Sequence, residues 1–195
     1  KIEIFYKKSD GKKPDLLILS GDVQPMDEVA SYEFSEAMLD VAEKFKCKEL
    51  ITLGGIGLQD IPQNPKLYCT ANNKDIIKRY RDPLVEEKLF GVVGPIVGVS
   101  GLLLGLATKR KIDAIAFLAE TYGHPMYLGV KGARETLKLL NKKLGLKLNL
   151  SKLEKEMKDI ESEIMKRSKP LTEVSKQSAI RKLKSKIGEE VDYIG

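Results

Sequence analysis

The chain has 195 residues, 42% of them hydrophobic, with 34 Lys and Arg, 28 Asp and Glu and one His. This length fits one globular domain with an appendage, and the hydrophobic content excludes a fully disordered chain. Two cysteines are too few for a disulfide-stapled secreted fold, so we interpret Cys47 and Cys69 as reduced, buried thiols of a cytosolic protein. The sequence contains no GxxxxGK[ST], HExxH or CxxC pattern, so we predict neither a cofactor nor a metal site.

Charge is concentrated in the last part of the chain. Residues 151–195 hold 11 basic and 9 acidic residues, so about 44% of this segment is charged, against about 28% of residues 1–150. Because the signs are mixed, this segment differs from a basic arm, and we predict no nucleic-acid partner. We therefore divide the chain into an α/β body, residues 1–150, and a C-terminal helical extension, residues 151–195. The Lys and Glu content is typical of thermophiles.

The first half of the body alternates apolar runs with helical patterns. The runs predict four strands. Ile2–Tyr6 is predicted to lie near a sheet edge, and Leu16–Leu19 and Leu50–Leu53 are predicted to be buried. The fourth predicted strand is Leu67–Ala71. Helices are predicted from the 4-3-4 spacing of Phe34, Met38, Val41 and Phe45, and for Lys74–Tyr80.

The second half contains an uncharged run of 18 residues, from Phe90 to Ala107. This length is the lower limit for a membrane-spanning helix, but the run is rich in glycine, so we predict no membrane span. Instead we predict a strand, Lys88–Val93, and a helix whose bare stripe of Gly98, Gly101 and Gly105 lies close against the sheet.

The end of the body adds one strand, Ala114–Ala119, and one helix, Gly132–Leu144, which Gly145 terminates. Strands that alternate with helices predict a mainly parallel sheet covered by helices on both faces.

The extension begins with a predicted capping box, Ser151 with Glu154. A narrow apolar seam follows at a 4-3-4 spacing and consists of Leu153, Met157, Ile160 and Ile164. Such a seam fits a helix that packs on its own domain, and equally one that pairs with another subunit, so both interpretations stay open. Pro170 is expected to interrupt this helix.

Two segments resemble catalytic or nucleotide-binding motifs but lack a required residue. Gly98-Val99-Ser100-Gly101 has Leu102 where a nucleophile elbow needs glycine, and His124 is the one available base. Gly54-Gly55-Ile56-Gly57 starts like a dinucleotide-binding fingerprint, whose last glycine is replaced by Asp60.

Polar residues and a glycine in the predicted loops after strands leave a small-molecule crevice as an alternative. Ligands collect at the carboxyl ends of parallel strands, where Ser20–Pro25, Gly54–Asp60 and Glu120–Pro125 are predicted to lie. The residues that would line this crevice are Asp22, Gly55, Asp60, Glu120 and His124. Polar loops of this kind also occur without any ligand.

Several segments in order resemble one known family. They are residues 94–107 (GPIVGVSGLLLGLA), residues 116–125 (AFLAETYGHP), the helix from Ala133 and residues 146–154. Over about residues 15–165 the chain is similar to the proteasome assembly chaperone 2 family. This resemblance implies an α/β fold related to purine nucleoside phosphorylases and no established catalytic centre. Eukaryotic members guide assembly of the proteasome α ring, and archaeal relatives form homo-oligomers and bind the 20S proteasome through their C-terminal ends.

The resemblance sets the expected function and partners. We expect a non-enzymatic cytoplasmic protein whose partners are its own copies, as in a tetramer, and 20S α subunits or related assembly chaperones. Family tails end hydrophobic-Tyr-any residue, whereas here Tyr193 is third from last, so the expected contact residues are Val191, Tyr193 and Ile194. Family members also begin with a strand and a Phe-Pro-Gly-type loop, for which residues from Lys1 onward have no counterpart. The body is therefore expected to lack that first strand. The rival hypothesis is a small-ligand binder or phosphorylase-like enzyme that uses the crevice.

Overall fold

The computed structural model describes residues 1–11, 13–86, 96, 98–124, 127, 129–152, 155 and 159. The chain divides into two compact units, of which the first comprises Lys1–Gly123 and Lys131–Leu148 and the second His124–Val130 and Asn149–Gly195. The predicted boundary at residue 150 stays a prediction.

The first unit contains a four-stranded sheet in the order β3-β6-β4-β5. The strands are β3 (Glu49–Leu58), β4 (Leu67–Ala71), β5 (Val85–Glu86) and β6 (Asp113–Tyr122). β3 runs parallel to β6 over ten residue pairs, and β4 runs parallel to β5, but β4 and β6 are antiparallel. The sheet is therefore mixed, and the expectation of a mainly parallel sheet is corrected. The predicted strand Lys88–Val93 lies outside the described residues.

β6 lies in the middle of this sheet and is covered on both faces. Its residues Ala114–Ala119 are all buried, with side chains that point alternately to opposite faces. Ala114 and Ala116 belong to one hydrophobic cluster, and Ile115 and Phe117 to the other. This continuous apolar run is typical of a strand that is buried on both sides, as predicted.

Helices α1 (Glu28–Lys44) and α3 (Val99–Lys109) cover the face of Ala114 and Ala116. The α1 helix buries Ser31, Ser35, Leu39 and Ala42, and Phe34 and Met38 pack beside them. Phe45, which the sequence pattern placed on the buried face, follows the helix and is 58% exposed. The core-facing side of α1 is therefore rotated from the predicted one.

Helices α2 (Lys74–Tyr80) and α4 (Val130–Leu144) contribute to the opposite cluster. The ring of Tyr80 in α2 meets Phe117 edge to face, with 5.3 Å between ring centroids. Both helices match their predicted ranges closely, and Gly145, with φ of 61°, follows α4 as predicted. No helix among the described residues is long and apolar enough to cross a membrane.

Asp82, after α2, lies in an ionic contact with the end of α4. Its side chain is 3% exposed, and its Oδ2 lies 2.7 Å from Lys142 Nζ. The hydrogen bond from Lys142 and the amide of Leu84 hold the pKa of the Asp82 carboxyl below its usual value. Lys143 Nζ donates to the carbonyls of Arg79 (3.3 Å) and Arg81 (2.7 Å), which places a positive charge at the carboxyl end of α2.

Strands β1 (Ile2–Lys7) and β2 (Leu16–Gly21) form a separate antiparallel pair. The register runs from Ile2 opposite Gly21 to Lys7 opposite Leu16. The sequence predicted β2 as a buried strand, but Ile18 is 48% exposed and Leu19 is 41% exposed. This prediction of burial is wrong for the described residues.

In the second unit, a helix begins at residue 150. Asn149 Oδ1 accepts a hydrogen bond from the amide of Lys152 at 3.1 Å, so Asn149 rather than Ser151 caps this helix. Glu154, the other half of the predicted capping box, lies outside the described residues.

The glycines of α3 do not form the predicted stripe against the sheet. Gly98 precedes the helix with φ of 86°. A β-carbon at Gly101 would lie 2.2 Å from the carbonyl oxygen of Ile96, whereas one at Gly105 would have no atom within 4 Å. The α3 helix instead buries its leucines, Leu103, Leu104 and Leu106.

Substitution by alanine should have opposite effects on the free energy of unfolding at the two helical glycines, Gly101 and Gly105. Gly105→Ala should raise the free energy of unfolding by about 1 kcal/mol, because alanine is the better helix former at an open position. Gly101→Ala should lower it, because the new methyl group collides with backbone. Urea denaturation of both variants measures the difference, and equal effects would contradict the close approach of Ile96.

The ion pair of the buried Asp82 carboxylate should stabilise the fold by an amount that depends on pH. Since its pKa is lower in the folded state, this contribution is present above the unfolded value of about 3.8 and is lost as the pH falls through the folded value. Asp82→Asn should lower the free energy of unfolding at pH 7 and flatten its fall at acidic pH. Denaturant titrations from pH 7 to pH 3 measure this. An unchanged slope in Asp82→Asn would contradict the assignment.

Candidate functional site

The predicted crevice lies at the carboxyl ends of the parallel strands β3 and β6. The structure continues both strands further than predicted, since β3 includes Gly54–Leu58 and β6 includes Glu120 and Tyr122. Glu120 is therefore a strand residue opposite Ile56, and Gly55 is opposite Ala119. The expectation that Gly54–Asp60 and Glu120–Pro125 are loops is corrected, because their first residues pair in the sheet.

The glycines of β3 fit closely against β6. A β-carbon at Gly54 would lie 2.9 Å from Leu118 Cδ2, and one at Gly55 would lie 2.9 Å from Thr121 Cγ2. Real β-carbons essentially never approach other atoms this closely. Gly54 and Gly55 therefore pack closely against the side chains of Leu118 and Thr121 in β6.

Glu120 joins β6 to the start of β4. Its Oε2 accepts a hydrogen bond from the amide of Lys66 at 2.9 Å, and its Oε1 accepts one from the hydroxyl of Tyr68 at 3.1 Å. The backbone amide of Glu120 also donates to the Lys66 carbonyl at 2.9 Å. Burial, followed by the bond to Glu120, raises the pKa of Tyr68, so this phenol stays protonated and donates. These contacts hold the carboxylate of Glu120 in a fixed position between β6 and the start of β4.

Tyr68 is a residue that the sequence analysis did not include in the site. It is 5% exposed, and a buried tyrosine hydroxyl needs a hydrogen-bond partner. A tyrosine within the predicted strand Leu67–Ala71 was the available signal, and Glu120 is the partner that antiparallel pairing of β4 and β6 brings to it.

The other predicted crevice residues lie apart in the chain and have different roles. Asp22 follows β2, and its Oδ2 lies 2.9 Å from the amino nitrogen of Lys1. Asp60 follows β3 and is exposed. His124 belongs to the second compact unit, where its carbonyl accepts from the amide of Tyr127 at 2.9 Å. A single crevice formed by these residues stays a prediction.

Gln24 lies beside the start of α3. A β-carbon at Gly98 would lie 3.2 Å from Gln24 Oε1 and 3.3 Å from its Nε2, so the amide group closes the approach to Gly98. Ser100 lies in α3, as expected for a residue that is not part of a nucleophile elbow.

Two buried hydroxyls among the described residues have no hydrogen-bond partner, those of Thr52 and Thr121. Thr52 pairs with Ala116, on the face that α1 and α3 cover, whereas Thr121 shares the odd-numbered face of Ile115 and Phe117. Because they point to opposite faces, they do not form one ligand site. The described part of the chain also holds no group of three His, Cys, Asp or Glu residues that could bind a metal ion.

The predicted contact residues of the extension lie outside the described residues. They are the seam residues Leu153, Met157, Ile160 and Ile164 and the tail residues Val191, Tyr193 and Ile194. Their roles stay predictions.

The Glu120 contacts predict a structural role for this carboxylate. Glu120→Gln should lower the free energy of unfolding by about 1–2 kcal/mol, because one oxygen is replaced by an amide group that cannot accept a hydrogen bond. Tyr68→Phe, the matched control, should cost about 1 kcal/mol, since it removes one of the two bonds. Urea denaturation measures both, and an unaffected Glu120→Gln variant would contradict this role.

Comparison with known proteins agrees with this arrangement. An uncharacterized protein of Methanocaldococcus jannaschii is 27% identical over 183 residues, which are 94% of this chain and 68% of the relative. Pyrococcus furiosus PbaB, an archaeal proteasome activator, is 30% identical with a TM-score of 0.74, over 86% of this chain and 71% of PbaB. Pyrococcus furiosus PbaA, an archaeal homolog of proteasome-assembly chaperone, shares the fold at 20% identity with a TM-score of 0.64, over 98% of this chain and 73% of PbaA.

The sequence profile of the PAC2 family matches residues 1–167. This match covers most of the chain, and the similarity to PbaB supports it independently in sequence and in fold. The mixed sheet with helices on both faces is the architecture that these relatives share with the chain. The protein therefore belongs to the PAC2 family.

Proposed function

We propose that this protein is a non-enzymatic cytoplasmic adaptor or assembly chaperone for the proteasome, which self-associates and binds the α ring of the 20S particle through its C-terminal segment. The observation that supports this proposal most strongly is the similarity to PbaB, a proteasome activator, at 30% identity and a TM-score of 0.74. Membership of the PAC2 family supports it further.

The contacts at the strand ends favour an adaptor over an enzyme. Glu120, the carboxylate of the rival enzyme's crevice, already connects β6 to the start of β4 through the Lys66 amide and the Tyr68 hydroxyl, and these contacts support a structural role. The glycine run of β3 is occupied by packing against Leu118 and Thr121.

We assign the proteasome contact to the tail residues Val191, Tyr193 and Ile194. The aromatic side chain of Tyr193, with Ile194 next to it and Val191 two residues before it, provides an apolar anchor of the kind that dominates small interfaces. We assign the seam of Leu153, Met157, Ile160 and Ile164 to helix pairing, because charged residues flank this apolar strip on both sides. In a homo-oligomer such as a tetramer, this pairing would present several tails to one α ring and raise the avidity.

Removal of the tail tests the assignment. In a pull-down with archaeal 20S proteasome, a chain that ends after Lys169 should be recovered far less than the full chain. Tyr193→Ala should weaken 20S binding by about tenfold or more, as expected for an interface anchor.

Tyr32→Ala is the matched control, because it removes another tyrosine, which is 45% exposed on α1, without changing the tail. It should bind as the unmodified chain does. Equal recovery of the full and shortened chains would contradict the role of the tail.

A further inference from the structure

The sheet of β1 and β2 is apolar on both faces and exposed on both. One face carries Ile4, Tyr6 and Leu19, which are 41–59% exposed, and the other carries Phe5 and Ile18, at 51% and 48%. A two-stranded sheet is marginally stable alone in water and gains stability from further strands. The outer edge of β1 pairs with no strand in the described part of the chain, so it is a template for another strand.

The backbone geometry determines which groups of β1 point outward. The amide of Asp22 donates to the carbonyl of Lys1 at 3.2 Å, which places Lys1 and Asp22 at a hydrogen-bonded position of the antiparallel ladder. In an antiparallel ladder such pairs alternate with non-bonded ones, and the odd-numbered residues of β1 therefore direct their N–H and C=O groups toward β2. The N–H and C=O groups of Ile2, Ile4 and Tyr6 consequently point away from β2, toward the open edge.

The sequence of β1, Ile-Glu-Ile-Phe-Tyr-Lys, is complementary to itself when two copies run antiparallel. With Phe5 opposite Phe5 of a second copy, Ile4 lies opposite Tyr6, and Glu3 lies opposite Lys7 at both ends. In this register Ile4 of one copy forms a hydrogen-bonded pair with Tyr6 of the other. This pairing agrees with the backbone, because the N–H and C=O groups of Ile4 and Tyr6 point toward the open edge. Glu3 and Lys7 form non-bonded pairs, where side chains approach most closely.

Neighbouring registers lack this charge match. A two-fold axis at Ile4 places Lys1 opposite Lys7, and an axis at Glu3 places this carboxylate opposite its own copy. Like charges that lie directly opposite each other destabilise a strand pair. An axis at Tyr6 places Lys7 opposite Phe5 and leaves Glu3 without a basic residue of β1 opposite it.

We propose that β1 of one copy pairs antiparallel with β1 of a second copy about a two-fold axis at Phe5, forming a continuous four-stranded sheet across a dimer interface. The interface is isologous, so each favourable contact occurs twice. In the separate chain Glu3 lies 2.6 Å from Lys1 Nζ, and both side chains are exposed, so Glu3 remains accessible to Lys7 of the second copy. This inference rests on the self-association part of the proposed function and does not depend on proteasome binding.

A charge swap tests the register. Glu3→Lys should raise the dimer dissociation constant by about tenfold or more, because two attractive pairs become repulsive. Lys7→Glu should do the same, and the double variant Glu3→Lys with Lys7→Glu should restore dimerisation. Sedimentation equilibrium over a range of concentrations measures the dissociation constants, and circular dichroism verifies that each variant is folded. Failure of the double variant to recover would overturn the proposed pairing.

A disulfide trap tests the axis even if a charge variant fails to fold. In a Cys47→Ser background, Phe5→Cys should form a covalent dimer under mild oxidation. The two α-carbons of this pair would lie about 4.5 Å apart, within disulfide range. Ile18→Cys is the matched control, since it lies opposite Phe5 with nearly the same exposure but about three strand spacings, roughly 14 Å, from its own copy.

The outcomes separate this inference from the proposed function. A covalent dimer of Phe5→Cys but not of Ile18→Cys supports the β1 interface. A chain that is monomeric at all concentrations, or an oligomer that neither changes with Glu3→Lys nor cross-links through Phe5→Cys, overturns it. Binding of 20S proteasome is measured separately with the same variants, so loss of the dimer with retained 20S binding supports the interface and shows that proteasome binding does not require it, whereas absence of 20S binding by a dimeric full chain contradicts the adaptor function and leaves the interface standing.

Discussion

Strand β6 is paired along both edges and covered on both faces, and the other elements of the mixed sheet depend on it. Its alternating side chains divide the core into two clusters, with α1 and α3 against Ala114 and Ala116 and with α2 and α4 against Ile115 and Phe117. Because β3 is parallel and β4 antiparallel to β6, Glu120 reaches the start of β4 while glycines of β3 pack beside it. The end of β6 is therefore connected to the start of β4 through Glu120.

The strand ends and the pair β1 and β2 differ in how their side chains are partnered. Within the described residues, Glu120 is bonded to the Lys66 amide and the Tyr68 hydroxyl, whereas apolar side chains remain exposed on the pair β1 and β2. A protein that acts by binding other proteins needs this distribution, since exposed apolar area is what association removes from water. The PAC2 family membership and the similarity to PbaB fit a protein of this kind.

Local sequence patterns predicted most of the helices and strands, but they did not predict how the strands pair in the sheet. The run Ala114–Ala119 identified β6, the spacing of Phe34, Met38 and Val41 identified α1, and Gly145 marked the end of α4, because burial, helix spacing and helix termination leave direct traces in sequence. Sequence did not reveal that β4 is antiparallel to β6, since the pairing direction depends on chain connections rather than on composition. For the same reason the sequence predicts a loop at Gly54–Gly57, although these residues belong to β3 and Gly54 and Gly55 lie close to Leu118 and Thr121.

The central claim, that this PAC2 protein binds the proteasome, is tested most directly by sedimentation velocity of the fluorescently labelled full chain with unlabelled archaeal 20S particles. The account predicts that the label moves into the fast boundary of the 20S particle and that the signal there saturates as the chain is titrated. Label that sediments at the rate of the free chain throughout the titration would contradict it.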